Sequence, residues 1–207
     1  MQKSPRPSSK GRRLWLAPLL GCAAFCASAA PEEFTIDPGH TFPTFEVRHL
    51  NVATQRGRFN RSQGKVTLDP QGGAGTVEIR IAATSVDTGN DELDRLLRGK
   101  YYFNVEEYPE IIYKSTGMLF SDGKPVLIQG QLSFLGQTRP VDLKVLNFGC
   151  SRLPFLGQRC GADLAASFRR ADFGMTAMQG FVGDEVTLLI QAEAVKAPAA
   201  PDESRPR

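Results

Sequence analysis

Apolar and polar residues alternate along most of the chain from residue 34 to 195, the two-residue period of strands that bury one face. In residues 76–82, for example, Val77, Ile79 and Ile81 share one face, and charged residues occupy the other. Gly, Asp and Pro residues separate the alternating runs, and the short links favour antiparallel neighbours. The pattern predicts an all-β fold of about eight strands, either a barrel or a sandwich. Other clear runs are 126–135, 141–145 and 186–192.

One segment, residues 90–99, departs from this alternation and predicts a short helix over about 90–98. Asn90 is suited to the N-cap, acidic residues follow it in the first turn, and Gly99 is suited to the end. The aromatic-rich stretch 100–109 comes next. Such an insert either covers one end of a barrel or is a plain crossover that fills the core.

The first 29 residues have the pattern of an export signal. Basic residues precede an apolar stretch, and Ala27-Ser28-Ala29 forms a small-residue cleavage site. Cleavage near Ala29 predicts a periplasmic protein with one barrel domain over 30–195 and a disordered tail over 196–207. Lipidation at Cys22 and twin-arginine export through Arg12 and Arg13 are minor alternatives.

Removing the leader changes the charge. The whole chain has 25 basic and 22 acidic residues, a net charge of +3. Five basic residues lie in the leader, so the remainder has 20 − 22 = −2. A slightly acidic domain gives no electrostatic reason to expect nucleic acid as a partner.

Two cysteines, Cys150 and Cys160, remain after the leader is removed. Export to an oxidising compartment favours a disulfide between them, which would stabilise the fold by roughly 3 kcal/mol. A redox pair or two metal ligands are the alternatives, but the CxxC spacing and the neighbouring ligands that these require are missing from the sequence.

Several motifs in order resemble the YceI-like family of exported lipid- or polyisoprenoid-binding proteins: "FTIDPGHTFPTFEVRHL", "RGRF", "DTGN", "YPEIIYKST", "GQLSFLGQTRPV" and "DFGM". The resemblance runs from about residue 34 to 194. It implies an extended eight-stranded antiparallel, lipocalin-like barrel with an inserted helix and an elongated apolar pocket. Leu93, Lys100 and Leu135 depart from the family's usual Arg, Pro and His, which affects the head-group preference rather than the fold.

The inward face of the predicted strands supplies the residues expected to line such a pocket. For each one, ordinary core packing is the alternative. The predicted ligand-binding residues are Phe45, Val47, His49, Phe59, Val66, Val77, Ile79, Ile81, Phe103, Ile112, Ile128, Leu132, Phe134, Val145, Phe168, Leu188 and Ile190.

The chain's two histidines, His40 and His49, do not make a convincing catalytic or metal site. Zinc requires three or four ligands, and a nucleophilic Ser or Cys requires an oriented base. We therefore predict no catalytic residue, no metal and no cofactor other than a bound lipid. His49 shares the inward parity of Phe45 and Val47 and would at most contact a polar head group. The arginines over residues 48–61 either decorate exposed strands or bind an anionic lipid.

The expected function is non-catalytic binding, transport or sequestration of a polyisoprenoid, an isoprenoid quinone or a fatty acyl compound in the periplasm. An exported accessory protein that contacts a membrane redox partner, with the lipid only structural, is the alternative. A homodimer is compatible with the fold, although no residue indicates one.

Overall fold

The computed structural model describes residues 31–196, which form twelve strands and one α-helix. The predicted leader, its cleavage near Ala29, the alternative lipidation at Cys22 and the tail beyond Lys196 lie outside the described residues. The strands are β1 (Glu32–Ile36), β2 (Phe42–His49), β3 (Ala53–Phe59), β4 (Ser62–Asp69), β5 (Ala74–Ala82), β6 (Val86–Asp87), β7 (Glu110–Ser121), β8 (Lys124–Phe134), β9 (Gln137–Pro140), β10 (Leu143–Leu153), β11 (Gly157–Arg169) and β12 (Val182–Lys196). The helix is α1 (Asp91–Arg98), and 3-10 turns span Ala83–Ser85 and Arg170–Phe173.

Eight strands close into an antiparallel ring. Their order is β1-β4-β5-β7-β8-β10-β11-β12, and β1 pairs with β12 to complete it. β2 pairs with the other half of β12, β3 pairs with β2, and β6 pairs with β3. Three long strands of the ring are thus each interrupted once, and they consist of β1–β2, β3–β4 and β5–β6. The predicted eight-stranded lipocalin-like ring is confirmed, although these interruptions make it irregular.

The predicted alternating runs overlap observed strands, and most of these strands are longer. Run 76–82 lies in β5 and run 186–192 in β12, which extends to Lys196, the first residue of the predicted tail. Run 141–145 begins two residues before β10, which continues as far as Leu153. Burial in the continuation of β10 is slight, so it lacks the clear alternation that marked the first half.

The predicted helix is confirmed as α1, and polar contacts anchor it at one end of the ring. The Asn90 side chain accepts hydrogen bonds from the N–H groups of Glu92 and Leu93, at 3.0 and 3.2 Å. Asp94 is buried and accepts from the backbone N–H and hydroxyl of Thr88. Phe103 of the same insert is buried in the core, so the insert also fills part of the interior. None of the described helices is long and apolar enough to cross a membrane.

Aromatic packing fills the ring beneath α1. Six phenylalanines form a continuous series of tilted and edge-to-face contacts, with ring centroids 5.1 to 6.1 Å apart. Phe103 comes from the stretch after α1 and makes three of these contacts. The six are Phe45, Phe59, Phe103, Phe134, Phe168 and Phe173. The interior is thus partly occupied by its own side chains.

The β10–β11 hairpin lies at the opposite end from α1. β8 pairs with β10 at only two positions, Leu143 opposite Ile128 and Lys144 opposite Leu127. Beyond them β10 pairs with β11 alone, while β11 also pairs with β12 as far as Arg159. The predicted disulfide is confirmed: Cys150 and Cys160 face each other across this hairpin, with their sulfurs 2.04 Å apart.

Candidate functional site

An apolar cavity of about 210 Å³ lies inside the ring. All but two of the predicted lining residues contact it, from the phenylalanines beneath α1 to Val145 near the far hairpins. Those that line it are Phe45, Val47, Phe59, Val66, Val77, Ile79, Ile81, Phe103, Ile128, Leu132, Phe134, Val145, Phe168, Leu188 and Ile190. Strand parity therefore places these side chains correctly on the inner face.

Two predicted lining residues, His49 and Ile112, lie outside the cavity, and their placement was wrong. His49 is exposed at the last position of β2, next to the turn into β3. Its parity is inward, but its side chain does not line the cavity, although its partner Val182 in β12 does. In β7, Ile111 and Tyr113 are buried and face the cavity, so Ile112 points to the other face.

Sequence reasoning missed other lining residues. Phe34, Ile36 and Leu68 occupy buried alternate positions of β1 and β4, so alternation in these short strands was an available signal. Arg170 had no such signal, because a charged residue is rarely fully buried. Other residues that line the cavity and were not predicted are Leu97, Tyr102, Ile111, Tyr113, Met118, Val141, Leu143, Phe148, Leu164 and Met175.

Two polar side chains at the cavity wall, Thr41 and Tyr113, already have hydrogen-bond partners. The Thr41 hydroxyl donates to the Glu193 carbonyl and accepts from the Glu193 N–H, both at 3.1 Å. The Tyr113 hydroxyl donates to the Ile128 carbonyl at 3.0 Å. Burial raises the pKa of Tyr113 well above its ordinary value, and the charge of Asp142 acts in the same direction. Tyr113 is therefore neutral, and the wall suits an apolar chain rather than acid–base chemistry.

Arg170 is a buried cation at the α1 end of the cavity, with 2% of its surface exposed. Its guanidinium donates to the carbonyls of Met175, Ala177, Val182 and Gly183, at 2.8 to 3.1 Å. These bonds fix the loop between β11 and β12 against the ring. Ion pairing with an acidic group within 4.0 Å is not found for Arg170 among residues 31–196.

A second, polar cleft of about 550 Å³ adjoins the cavity at this end. Tyr102 and Met175 line both spaces. Lys100 and Arg139 supply positive charge to the cleft, and Asp172 supplies one negative charge. Its other lining residues are Tyr101, Asn104, Tyr108, Leu135, Gln137, Ala171, Phe173, Gly174, Thr176 and Ala177.

His40 lies beside Asp37 and Glu193, close enough for the three to share an ion. Arg159 already occupies this cluster: its guanidinium donates to Asp37 at 2.6 Å and lies 3.6 Å from Glu193. This hydrogen bond holds the pKa of Asp37 below its usual range despite the opposing effect of burial, and the Gly39 N–H and His40 add to the lowering. A guanidinium inside the cluster repels a metal cation, so the geometry favours a structural ion pair.

The arginines of residues 48–61 are engaged on the outer surface. Arg56 pairs with Glu46 at 2.6 Å, and Arg58 lies 3.8 Å from Asp87. Arg61 donates to Thr84, and Arg48 donates to Thr54. These contacts favour the first of the two alternatives for these arginines, a position on exposed strands, over a site for an anionic lipid.

Comparisons with known proteins identify the same family that the sequence motifs resemble. The family model described as the YceI-like domain matches residues 34–194. A UPF0312 protein of Photorhabdus laumondii is 35% identical over 173 residues, covering 82% of this chain and 90% of the relative. A UPF0312 protein of Pseudomonas aeruginosa is 33% identical over 181 residues, covering 86% and 94%.

Solved structures share the fold at low identity. BcnA of Burkholderia cenocepacia superimposes with a TM-score of 0.64 at 21% identity, covering 77% of this chain and 99% of that one. A polyisoprenoid binding domain from Saccharophagus degradans, implicated in plant cell wall breakdown, has a TM-score of 0.59 at 17% identity, covering 80% and 98%.

Proposed function

Because this chain belongs to the YceI-like family, we propose that it binds the hydrocarbon chain of one lipid inside the ring, without catalysing a reaction. The observation that carries the proposal is the apolar cavity, whose polar wall groups Thr41 and Tyr113 already have partners. An apolar chain loses no hydrogen bond with water on entering such a space, whereas a polar ligand does.

The lipid class that we propose is a polyisoprenoid, an isoprenoid quinone or a fatty acyl compound. The polyisoprenoid binding domain from Saccharophagus degradans, which shares the fold, supports the first of these. Each buried CH₂ contributes about 0.8 kcal/mol, so a five-carbon isoprene unit contributes roughly 3 to 4 kcal/mol. Three or four buried units then offset an association cost of about 4 to 15 kcal/mol.

The size of the cavity limits this ligand. Its 210 Å³ is below the roughly 300 to 1,000 Å³ of ordinary ligand pockets. A short, slender segment therefore fits the ring as it stands, and a longer chain requires the phenylalanines beneath α1 to change rotamer.

We further propose that the protein acts in the periplasm as a carrier or a sequestering protein. The leader pattern over residues 1–29 supports export, and the Cys150–Cys160 disulfide is consistent with an oxidising compartment.

The second proposal is an accessory protein that contacts a membrane redox partner, with the lipid only structural. The apolar tip of the β10–β11 hairpin favours it, because Leu153, Phe155 and Leu156 are 40%, 106% and 60% exposed. We extend this second proposal to a homodimer that uses the same tip as its contact surface. Normal activity of a variant with a blocked cavity would favour this second function over a carrier.

A cavity-filling substitution tests the carrier proposal. Val145 lines the cavity, whereas its neighbour Leu146 is 56% exposed, so Val145→Trp and Leu146→Trp are matched. We expect Val145→Trp to weaken farnesol binding at least tenfold, because the indole fills the space, and Leu146→Trp to leave it within twofold. The measurement is titration calorimetry, with native mass spectrometry of the protein purified from its own host to identify the co-purifying lipid. Equal binding by both variants, or an empty wild-type protein that takes up no apolar chain, overturns the proposal.

A further inference from the structure

We infer that the polar cleft beside the cavity is a head-group site, and that it selects lipids with an anionic head, a phosphate or a carboxylate. This inference rests on the proposed function, because it places the head of the lipid whose chain occupies the ring. The inferred site would bind the anionic heads of prenyl phosphates and fatty acids in preference to the uncharged heads of quinones and free prenols.

The cavity itself offers no place for a charged head. Its polar wall groups at Thr41 and Tyr113 are satisfied by backbone partners, and the Arg170 guanidinium is committed to four carbonyls. A charged group placed there would lose its hydration without replacement. The head of an amphiphile must therefore lie outside the cavity, in a space that adjoins it.

The polar cleft is such a space. The side chains of Tyr102 and Met175 form part of the wall of both the cavity and the cleft. The two spaces are thus separated at this point by the thickness of these residues. A lipid that displaces one of the two side chains places its tail among apolar side chains and its head among polar ones.

Charge in the cleft favours an anion. Lys100 and Arg139 oppose the single acid Asp172, so the lining has a net charge of 2 − 1 = +1. The ion pairs found within residues 31–196 do not include Lys100 or Arg139. The Arg139 guanidinium donates to two neutral acceptors, the Thr138 carbonyl and the Gln137 side chain. Both cations thus retain charge for a ligand.

Two further charges lie behind the wall of the cleft: the acid Glu107, which accepts hydrogen bonds from the side chains of Asn104 and Tyr108, and the cation Arg170. Arg170 donates to the carbonyls of Met175 and Ala177, which both line the cleft. These bonds hold that wall in place, and the buried guanidinium adds positive potential behind it, because buried charges are weakly screened. Arginine and lysine bind phosphate and carboxylate oxygens through charge-assisted hydrogen bonds.

The test compares ligands that share a tail and differ in the head. Farnesyl phosphate, farnesol and inorganic phosphate are titrated against wild type and Lys100→Gln/Arg139→Gln. We expect wild type to bind farnesyl phosphate at least tenfold more tightly than farnesol, with the preference reduced by salt. The double variant should lose this preference and bind farnesol within twofold of wild type. Inorganic phosphate alone should bind much more weakly than farnesyl phosphate.

Two further variants make the test specific. Lys124→Gln/Arg95→Gln removes the same charge from exposed residues outside the cleft, and it should keep the preference. Lys100→Arg keeps the charge of the cleft and should therefore also keep the preference for farnesyl phosphate. The substituted positions Lys100 and Arg139 are exposed, so thermal melting should show that the variants fold normally.

The failures are distinguishable. If wild type binds both farnesyl ligands equally, or if only the control variant loses the preference, the head-group assignment is overturned and the lipid-binding proposal stands. If inorganic phosphate binds as tightly as farnesyl phosphate, the cleft is a free phosphate site and the assignment fails. If no farnesyl ligand binds, the proposed function itself fails.

Discussion

Two arginines, Arg170 and Arg159, stabilise opposite ends of the ring through different contacts. At the α1 end, Arg170 satisfies four carbonyls of the loop before β12, so its removal would leave several buried acceptors without donors. At the other end, Arg159 links Asp37 to Glu193, and these residues join the interruption between β1 and β2 to the neighbouring strands β11 and β12. Each arginine stabilises a place where regular strand pairing is broken.

The ion pair at Asp37 predicts a pH dependence of stability. Its folded pKa is depressed, mainly by the Arg159 hydrogen bond, so the stabilisation is complete above the unfolded pKa of about 3.9 and is lost as pH falls through the folded value. We expect Asp37→Asn to lower the melting temperature at pH 7, with a difference from wild type that shrinks below about pH 4.

Thermal melts between pH 7 and pH 2 measure this difference. Glu33→Gln is the control, because Glu33 is an exposed acid of β1 that forms no ion pair with residues 31–196. A destabilisation by Asp37→Asn that is equally large at pH 2 and pH 7 would contradict the assignment.

Among the elements, the β10–β11 hairpin is the least supported part of the ring. β10 shares only two residue pairs with β8 and then pairs with β11 alone, whereas β11 also pairs with β12 from Arg159 to Arg169. The disulfide joins the two strands of the hairpin in this region, and the cross-link closes a loop with a sequence separation of 10 residues. We attribute the order of the hairpin beyond β8 to this cross-link.

Removing the disulfide should therefore have a local effect. We expect Cys150→Ser/Cys160→Ala to lower the free energy of unfolding by roughly 3 kcal/mol, from chain entropy. Alanine suits position 160, which is 6% exposed and lines the cavity. Amide hydrogen exchange should rise most in residues 146–157 and least in β7. Unchanged urea unfolding, or a uniform rise in exchange across the ring, would show that strand pairing alone holds the hairpin.

At the scale of the whole molecule, closure of the ring creates the cavity. β1 pairs with β12, so side chains from the beginning and the end of the chain meet across one interior. Phe34 of β1 and Ala194 of β12 line the same space as Ile128 of β8. A ligand held there contacts most of the ring at once, and its binding should stabilise the entire fold.

Ligand binding should accordingly raise the melting temperature. At a farnesol concentration 100 times Kd, linkage adds about 2.7 kcal/mol, which is roughly 5 to 10 °C for a domain of this size. Differential scanning fluorimetry with increasing farnesol measures the shift. At the same farnesol concentration a tenfold weaker Kd leaves about 1.4 kcal/mol of linkage, so Val145→Trp should show at most about half of the wild-type shift, and Leu146→Trp should respond as wild type does. A wild-type melting temperature that is constant across the titration would contradict a ligand held inside the ring.

Local sequence was sufficient for the features that depend on neighbours along the chain. Alternation predicted the strands and most inward residues, the Asn90 and Gly99 signals predicted α1, and compartment chemistry predicted the Cys150–Cys160 bond. These follow from the two-residue period of a strand, from the unpaired N–H groups at a helix start and from the oxidising compartment that the leader pattern predicts.

The tertiary structure decided what depends on distant contacts. Parity predicts which face of β2 His49 occupies but not that its side chain is exposed. Likewise, nothing local indicates that Arg170 is buried, or that Lys100 and Arg139 share a cleft. Lys100 follows α1 and Arg139 lies in β9, so only the folding of the chain into a closed ring brings their charges together. The cavity volume is likewise set by how side chains from all the strands pack, which no single segment of sequence contains.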